Sequence, residues 1–326
     1  MLFGIAYLIS KLLSKFPRLD ILDISNFLGG KWLRAIIGIL FMLYFTFTIS
    51  ILLRSFSEGL KIIFFPRTSV PVIMILFLIA IVIASKLGFQ AISRSNLFII
   101  GLVLFTLFFI FFANFHNFNF QGMLPILGEG MQSTFFAGLS NLFAFGGITY
   151  LYFIPPYLKD EKAYQKISLI SIGLSGLCLL ISVATLLFLS PTVIIKEEIF
   201  PMYLASRYIE FGRFFQRVDA VFLFIWIISI TSFLSISFCF TTKTFQKLLH
   251  LQYNKWYIAL FSIIMFGVGL LPNDMYQIIF MENTVYQYII LILVFAISLT
   301  LLVLANIKYH LLEKKKGAVS IDKASL

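Results

Sequence analysis

The residues of this 326-residue chain that are most suited to chemistry are two adjacent glycines inside an apolar segment. Gly146 and Gly147 lie near the middle of residues 133–157, a segment that ends at Pro155 and Pro156. Each glycine weakens a helix by about 1 kcal/mol relative to alanine. A helix broken at this depth offers unpaired backbone N–H and C=O groups, which hold zwitterions in secondary transporters. Alternatively, the glycines only allow neighbouring helices to pack closely, and the spacing alone favours neither interpretation.

A second apolar segment, 220–242, carries a row of hydroxyl side chains among large apolar residues. These hydroxyls either hydrogen-bond to the backbone of their own helix or line a polar pathway. The candidate ligand-binding residues are therefore Phe145, Gly146, Gly147, Tyr150, Ser229 and Ser232.

Other kinds of chemistry lack their sequence signatures. His116, His250 and His310 stand alone, without the spacing of metal ligands. No phosphate-binding loop and no GxSxG nucleophile motif is present. Cys178 and Cys239 lie inside apolar runs and are predicted to be small buried hydrophobic residues. The sequence thus predicts a protein that is not an enzyme and has no metal site and no cofactor.

The composition identifies the environment of these segments. Apolar residues make up 60% of the chain, aromatic residues 17%, with 40 phenylalanines, and charged residues 12%. Soluble proteins carry about 25% charged residues, so a soluble enzyme, a disordered chain and a nucleic-acid binder are all excluded. Apolar runs such as 99–112 do not alternate with polar residues, as barrel strands would. The predicted fold is an all-α polytopic membrane protein.

Runs without charged residues predict eight full transmembrane helices in one integral membrane domain, 1–326. The spans lie near 35–54, 69–85, 96–113, 133–154, 168–190, 219–241, 256–271 and 285–307. Residues 1–10 are too short to cross a membrane and resemble the end of a helix. Residues 308–326 form the C-terminal tail.

The basic residues predict the orientation. With the segment 11–34 placed in the cytoplasm, 18 of the 25 Lys and Arg residues fall on the cytoplasmic side. The C-terminal tail is then cytoplasmic, and the net charge of +11 is mainly a topology signal. Arg54 and Glu58, four residues apart at the outer end of the first span, are predicted to form a local ion pair. No acidic residue lies in mid-membrane, so a carboxylate proton relay is not expected.

One outer segment is longer than a simple connection. Residues 191–219 alternate apolar and charged side chains at roughly helical spacing, which is typical of a helix at the membrane surface. The segment is either an interfacial connector or a gate over an outward-facing cavity. Arg217 and Asp219 lie at the end of this segment, where the sixth span begins.

Three motifs resemble a known family. They are LPILGEG at 124–130, FPMYLASRYIEFGRFFQRVDAVFLFIW at 200–226 and KFPRLDILDISNFLGGKWLR at 15–34. Together they resemble the B subunit of nutrient-germinant receptors of endospore-forming bacteria. The resemblance runs through nearly the whole chain.

This resemblance implies a leucine-transporter-like fold of the amino acid–polyamine–organocation superfamily, with ten spans in two inverted repeats. It implies a sensor of amino acids or other small nutrients in the spore inner membrane, acting beside an A subunit and a lipoprotein C subunit. The fourth full span would be the family's broken sixth helix, which favours a ligand site at Gly146 and Gly147. Residues of the outer loops with an expected gating or structural role are Pro125, Gly128, Glu129, Arg217 and Asp219.

The chain departs from this pattern at two points. Its stub and eight spans correspond to the end of the family's second span and to the third to tenth spans. The expectation is a fragment, a mis-started reading frame or a decayed copy. Gly147 stands where many relatives carry an acidic residue.

The predicted function is nutrient sensing in spore germination; the alternatives are an amino-acid permease and a structural subunit that binds no ligand. The chain is expected to bind a small nutrient, the A- and C-type subunits and membrane lipid. It is not expected to bind nucleic acid.

Overall fold

The computed structural model describes residues 2–120, 130–158, 163–209, 218–250 and 255–324, and every regular element in them is helical. The α-helices are α1 Leu2–Leu13, α2 Ile21–Ile63, α3 Val70–Leu87, α4 Phe89–Ala113, α5 Met131–Ser140, α6 Ala163–Leu189, α7 Thr192–Glu197, α8 Pro201–Arg207, α9 Val218–Leu249, α10 Lys255–Gly269, α11 Met275–Phe280, α12 Gln287–Ile289 and α13 Ser298–Ala324. Segments of 3₁₀ helix follow α4 and α5, and π-helical segments flank α12. The all-α fold predicted from the sequence is confirmed.

Six helical stretches of the described residues are long and apolar enough to cross a membrane. They are Ile21–Ile63, Val70–Leu87, Phe89–Ala113, Ala163–Leu189, Val218–Leu249 and Phe295–Leu312. Each overlaps a predicted span, and the chain is a polytopic integral membrane protein. The predicted seventh span corresponds to α10, an apolar helix of 15 residues, and the predicted fourth span is not one continuous α-helix. Eight therefore stays the predicted number of spans.

Helix α2 is 43 residues long and begins well before the predicted first span. The Asp20 side chain caps its N-terminus by accepting hydrogen bonds from the backbone N–H groups of Leu22 and Asp23, both at 3.0 Å. The Asp23 carboxylate accepts a hydrogen bond from the Asp20 N–H, which completes a capping box. The backbone leaves the helical conformation at Gly29 and Gly30, so α2 consists of two helical parts joined at a kink.

Helices α2 and α9 form the centre of the bundle. Helix α2 packs against α3, α9, α10 and α13, and α9 also packs against α3 and α4. The predicted N-terminal stub is α1, which packs against α6 and α13 and buries Ala6 and Ile9 completely. Tertiary packing of this kind supplies most of the stability of helices in proteins.

Aromatic side chains fill the space between α2, α9 and the segment that follows α5. We call Phe41, Phe45, Tyr150, Phe153 and Phe240 the aromatic layer. The ring centroids of Phe41 and Phe153 lie 5.0 Å apart, and those of Phe153 and Phe240 lie 5.4 Å apart. The rings of Phe45 and Tyr150 stack at 6.0 Å. Because such pairs each contribute about 0.5–1.5 kcal/mol beyond area burial, the layer holds this segment firmly against α2 and α9.

Candidate functional site

The predicted fourth span changes helix type part of the way along. Helix α5 ends at Ser140, and Asn141–Tyr152 is a 3₁₀ helix of 12 residues, which we call the 3₁₀ segment. Phe145 departs from helical geometry inside it, with φ −100° and ψ 31°. Runs of 3₁₀ helix longer than three or four residues are uncommon, and many mark a functional hinge or a strained sequence. The backbone around the glycine pair is therefore irregular, which is one of the two alternatives that the sequence left open.

The two glycines of this segment have different surroundings. Gly146 is buried, and a Cβ atom on it would lie 2.9 Å from Cδ1 of Ile290 and 3.0 Å from the hydroxyl oxygen of Tyr286. Gly147 is exposed, and a Cβ atom on it would meet nothing within 4 Å. Close packing therefore requires a glycine at 146 but not at 147. The predicted pair separates into one buried contact point and one open position.

Hydroxyl groups surround the buried glycine, and we call Tyr44, Thr48, Thr149 and Tyr286 the hydroxyl cluster. The Thr149 hydroxyl donates to the carbonyl oxygen of Gly146 at 2.6 Å and lies 3.2 Å from the Tyr44 hydroxyl. The Thr48 hydroxyl donates to the Tyr44 carbonyl oxygen at 2.8 Å. The rings of Tyr44 and Tyr286 are parallel, with centroids 6.1 Å apart.

The hydroxyl cluster can recognise a ligand by hydrogen bonding. Each of its hydroxyls can donate one hydrogen bond and accept others, and Tyr44, Thr48 and Thr149 are buried. None of the four members carries a charge. In the part of the chain that the structure describes, no three His, Cys, Asp or Glu side chains come together as a metal site would need. The hydroxyl cluster thus offers neutral hydrogen-bonding groups and no set of metal ligands.

Tyr150 brings the 3₁₀ segment to α9, as expected, but through a different hydroxyl. Its hydroxyl lies 2.6 Å from that of Ser237. Ser229 donates instead to the carbonyl oxygen of Ile225 in its own helix at 2.7 Å. Ser232 forms a hydrogen bond with the Asn96 side chain of α4. The contact between the 3₁₀ segment and α9 is thus made by Ser237 and not by the candidate residues Ser229 and Ser232.

None of the four members of the hydroxyl cluster was among the candidate residues predicted from the sequence. Tyr44 carries a hydroxyl group inside the charge-free run of the first span, and Thr149 lies three residues after Gly146. Both were visible as hydroxyls in apolar segments. Their convergence depends on contacts between residues 105 positions apart, which no local pattern encodes.

The predicted loop residues divide between described and undescribed parts of the chain. Pro125, Gly128, Glu129 and Arg217 lie outside the described residues. Asp219 lies in the first turn of α9, and its Oδ2 atom accepts a hydrogen bond from the Tyr203 hydroxyl of α8 at 3.2 Å.

The outer segment packs closely on the bundle. The Phe200 ring contacts Trp226 of α9, with centroids 5.3 Å apart, and occupies the space that a side chain on Gly59 would need. The Asn114 amide donates to the carbonyl oxygen of Ala205 at 3.1 Å. This packing is compatible with both a connector and a gate. The predicted ion pair between Arg54 and Glu58 is confirmed, at 3.5 Å.

Comparison with known proteins gives consistent matches. Residues 1–278 match the family described as "Spore germination protein". "Spore germination protein A2" of Bacillus subtilis (strain 168) is 27% identical over 254 residues, 76% of this chain and 68% of the relative. "Spore germination protein KB" of the same strain is 22% identical over 208 residues, 63% of this chain and 56% of the relative.

A third relative from that strain, "Spore germination protein B2", is 20% identical over 274 residues, 83% of this chain and 74% of the relative. The matched region thus spans between 56% and 74% of the length of these three proteins. Because the family match covers most of the sequence, this chain belongs to the spore germination protein family.

Proposed function

We propose that this chain is a subunit of a spore nutrient-germinant receptor that senses a small nutrient, such as an amino acid. Its membership of the spore germination protein family and the names of its three relatives support this role. The subunit would act in the spore inner membrane beside A- and C-type subunits. The excess of basic residues on one side supports a cytoplasmic C-terminal tail.

The observation that carries the proposal is the contact of Gly146 with the hydroxyl cluster. Polar groups inside a membrane protein are costly unless they are satisfied, yet this one region holds four hydroxyl side chains and an irregular backbone. Broken helices at membrane depth mark substrate sites in secondary transporters. A nutrient would therefore exchange hydrogen bonds with Tyr44, Thr149 and Tyr286, and its apolar part would contact Ile290.

The 3₁₀ segment links this site to the predicted cytoplasmic side. Below Thr149 it enters the aromatic layer through Tyr150, and after Phe153 it leads into the turn Pro155–Tyr157. A ligand shifts a conformational equilibrium only when it binds two conformations unequally. A nutrient that moves Tyr286 or Thr149 would change the register of the 3₁₀ segment against α2 and α9, and the partner subunits would respond to that change.

Measuring uptake into vesicles distinguishes sensing from transport. A permease would show saturable uptake of a radiolabelled amino acid into vesicles, whereas a receptor subunit would bind the amino acid without accumulating it. The predicted spans carry no acidic residue in mid-membrane for proton coupling, which supports sensing. Saturable uptake would assign the alternative function of amino-acid permease.

Removing one hydroxyl group tests the site directly. In spores that carry this chain as their only B-type subunit, Tyr286→Phe should raise the nutrient concentration for half-maximal germination roughly tenfold, the value of one good hydrogen bond. Tyr276→Phe is the matched control, because Tyr276 is 78% exposed. Immunoblots should show equal amounts of both variants in the membrane. An unchanged response of Tyr286→Phe would contradict the proposed site.

A further inference from the structure

A cavity lies where the N-terminus of α2, the turn Pro155–Tyr157 and the end of α9 meet. We call this cavity of about 410 Å³ the inner cavity. Small-molecule sites typically measure about 300–1,000 Å³. Phe153 and Phe240 of the aromatic layer line it, and no member of the hydroxyl cluster does. It opens on the predicted cytoplasmic side and is distinct from the site around Gly146.

One side of the inner cavity carries excess negative charge. The Lys247 ammonium contacts the carboxylates of Asp20 and Asp23 at 2.6 and 2.5 Å, so one cation serves two anions. Burial raises the pKa of Asp20, the nearby Asp23 carboxylate adds to this rise, and Lys247 opposes it. The Arg34 guanidinium hydrogen-bonds to the backbone carbonyl of Lys247. A second cation beside Asp20 and Asp23 would stabilise the ionised pair.

The other side carries a cation whose contacts are with aromatic rings. The half-buried Lys243 ammonium lies 4.3 Å from the centroid of the Tyr157 ring and 5.2 Å from that of Phe89. It donates a hydrogen bond to the Tyr157 hydroxyl at 2.7 Å. Within the described ranges, no residue gives Lys243 a carboxylate partner. An ammonium of this kind has donors left for an anionic ligand.

The residue next to Lys243 supplies an unused donor. Thr244 is 2% exposed, lines the inner cavity, and its hydroxyl has no hydrogen-bond partner among the described residues. Its neighbours Thr241 and Thr242 donate to carbonyl groups of their own helix, at 2.9 and 3.1 Å. Buried hydroxyls are normally hydrogen-bonded. A buried hydroxyl left unpaired at the wall of a cavity indicates that something else completes its hydrogen bonding.

We propose that the inner cavity binds a zwitterionic amino acid from the cytoplasmic side. The Lys243 ammonium and the Thr244 hydroxyl would hold its carboxylate, and Asp20 and Asp23 would hold its ammonium. The aromatic wall, which includes Tyr157, would contact its side chain. The four charged residues that line the cavity sum to zero, so a ligand with one charge of each sign matches the site without leaving net charge behind. This assignment does not depend on the receptor function proposed above.

The test uses the purified full chain in lipid nanodiscs. Saturation-transfer NMR measures the binding of each of the standard amino acids to it. For the amino acid that binds best, the analogues that lack only the amino group or only the carboxylate are the two further probes. Lys243→Gln should weaken binding roughly tenfold or more, since it removes a charged hydrogen bond. Lys86→Gln is the matched control, an exposed lysine at the end of α3 that does not line the cavity.

Thr244→Val separates a binding role from a structural one. It removes a hydroxyl that has no partner in the ligand-free protein, so the thermal stability of the free chain should stay unchanged or rise. Ligand affinity should nevertheless fall about two- to tenfold, the loss of one neutral hydrogen bond. If Lys243→Gln does not fold, this variant decides alone.

Three results would overturn the proposal. In the first, no standard amino acid binds. In the second, the carboxylate analogue without an amino group binds as tightly as the amino acid, which would leave only an anion site. In the third, binding is lost in Gly146→Ala but kept in Lys243→Gln and Thr244→Val, which would place the ligand at the hydroxyl cluster and leave the receptor proposal standing.

Discussion

Two pairs of adjacent glycines interrupt helices in this protein, and their members are needed for different reasons. Gly29 and Gly30 kink α2 before its predicted membrane span, and Gly146 and Gly147 lie in the 3₁₀ segment. Gly30 has φ +70° and ψ −162°, and a Cβ on it would meet nothing within 4 Å. Gly146 has no left-handed φ, but a Cβ on it would press on Ile290 and Tyr286.

This difference shows that one dipeptide serves two physical needs. At Gly30 the backbone adopts a conformation that is essentially restricted to glycine, while the surrounding space is open. At Gly146 the backbone φ is one that any residue can adopt, but Ile290 and Tyr286 occupy the space that a side chain would need.

In the first pair Gly30 has the conformational requirement, while its neighbour Gly29 lies close to Leu33. In the second pair Gly146 has the steric requirement, and its neighbour Gly147 is free. Alanine substitutions at all four positions therefore separate conformational strain from steric contact.

The largest expected effect on stability is at Gly30. Gly30→Ala places a Cβ on a backbone with φ +70° and ψ −162°, which should cost about 2–3 kcal/mol. The amount of protein in the membrane and its thermal unfolding midpoint in detergent should both fall. Normal abundance together with a normal midpoint would show that the kink relaxes without cost, and the conformational half of the comparison would be wrong.

Gly146→Ala should have the next largest effect. The new methyl group would stand 2.9 Å from Ile290 Cδ1 and 3.0 Å from the Tyr286 hydroxyl, and such overpacking costs about 1–2 kcal/mol. The unfolding midpoint should fall less than in Gly30→Ala, whereas the nutrient response should fall more. Restoration of the midpoint by the second change Ile290→Val, which removes the nearest methyl, would confirm that the cost is steric.

Gly29→Ala should lower stability about as much as Gly146→Ala. Its φ of −132° is accessible to any residue, and the nearest atoms to a Cβ belong to Leu33, at 2.8 and 2.9 Å. Rotation moves the Leu33 Cδ2 atom but not its Cβ, which the backbone fixes, so the chain must shift and the cost should be about 1–2 kcal/mol. The same heating assay checks it, and a loss as large as that of Gly30→Ala would mean that the kink needs both glycines.

Gly147→Ala should have the smallest effect. The position is exposed, and nothing lies within 4 Å of a Cβ there. Alanine should leave stability unchanged or raise it by up to about 1 kcal/mol, because it restricts the unfolded chain. A clear loss of stability would show that position 147 is packed against a surface, and the assignment of the contact to Gly146 alone would need revision.

The sequence predicted the large features because they depend on local composition. Charge-free runs located the spans, and consecutive glycines and prolines located the irregular helix that the 3₁₀ segment proved to be. The spacing of Arg54 and Glu58 predicted their ion pair. Each of these signals is complete within a few residues of the chain.

The details of the candidate site were beyond local patterns. Tyr44 and Thr149 meet across 105 positions, and Tyr286 lies in the irregular helical stretch before α13. The choice of Ser237 over Ser229 and Ser232 as the partner of Tyr150 depends on the rotation of α9 about its axis. Helix rotation follows from packing against several neighbours at once, and nothing in the segment 220–242 alone fixes it.

The central claim is that a nutrient binds at Gly146 and the hydroxyl cluster. The most direct measurement is the affinity of membranes for the radiolabelled amino acid that triggers germination. Gly146→Ala and Gly147→Ala are compared at equal protein abundance, both in the Lys243→Gln background, which weakens binding at the inner cavity. The predicted result is binding roughly tenfold or more weaker in Gly146→Ala, since the methyl displaces the Tyr286 hydroxyl from the proposed ligand. Binding should be unchanged in Gly147→Ala. Equal affinities in the two variants would contradict the account.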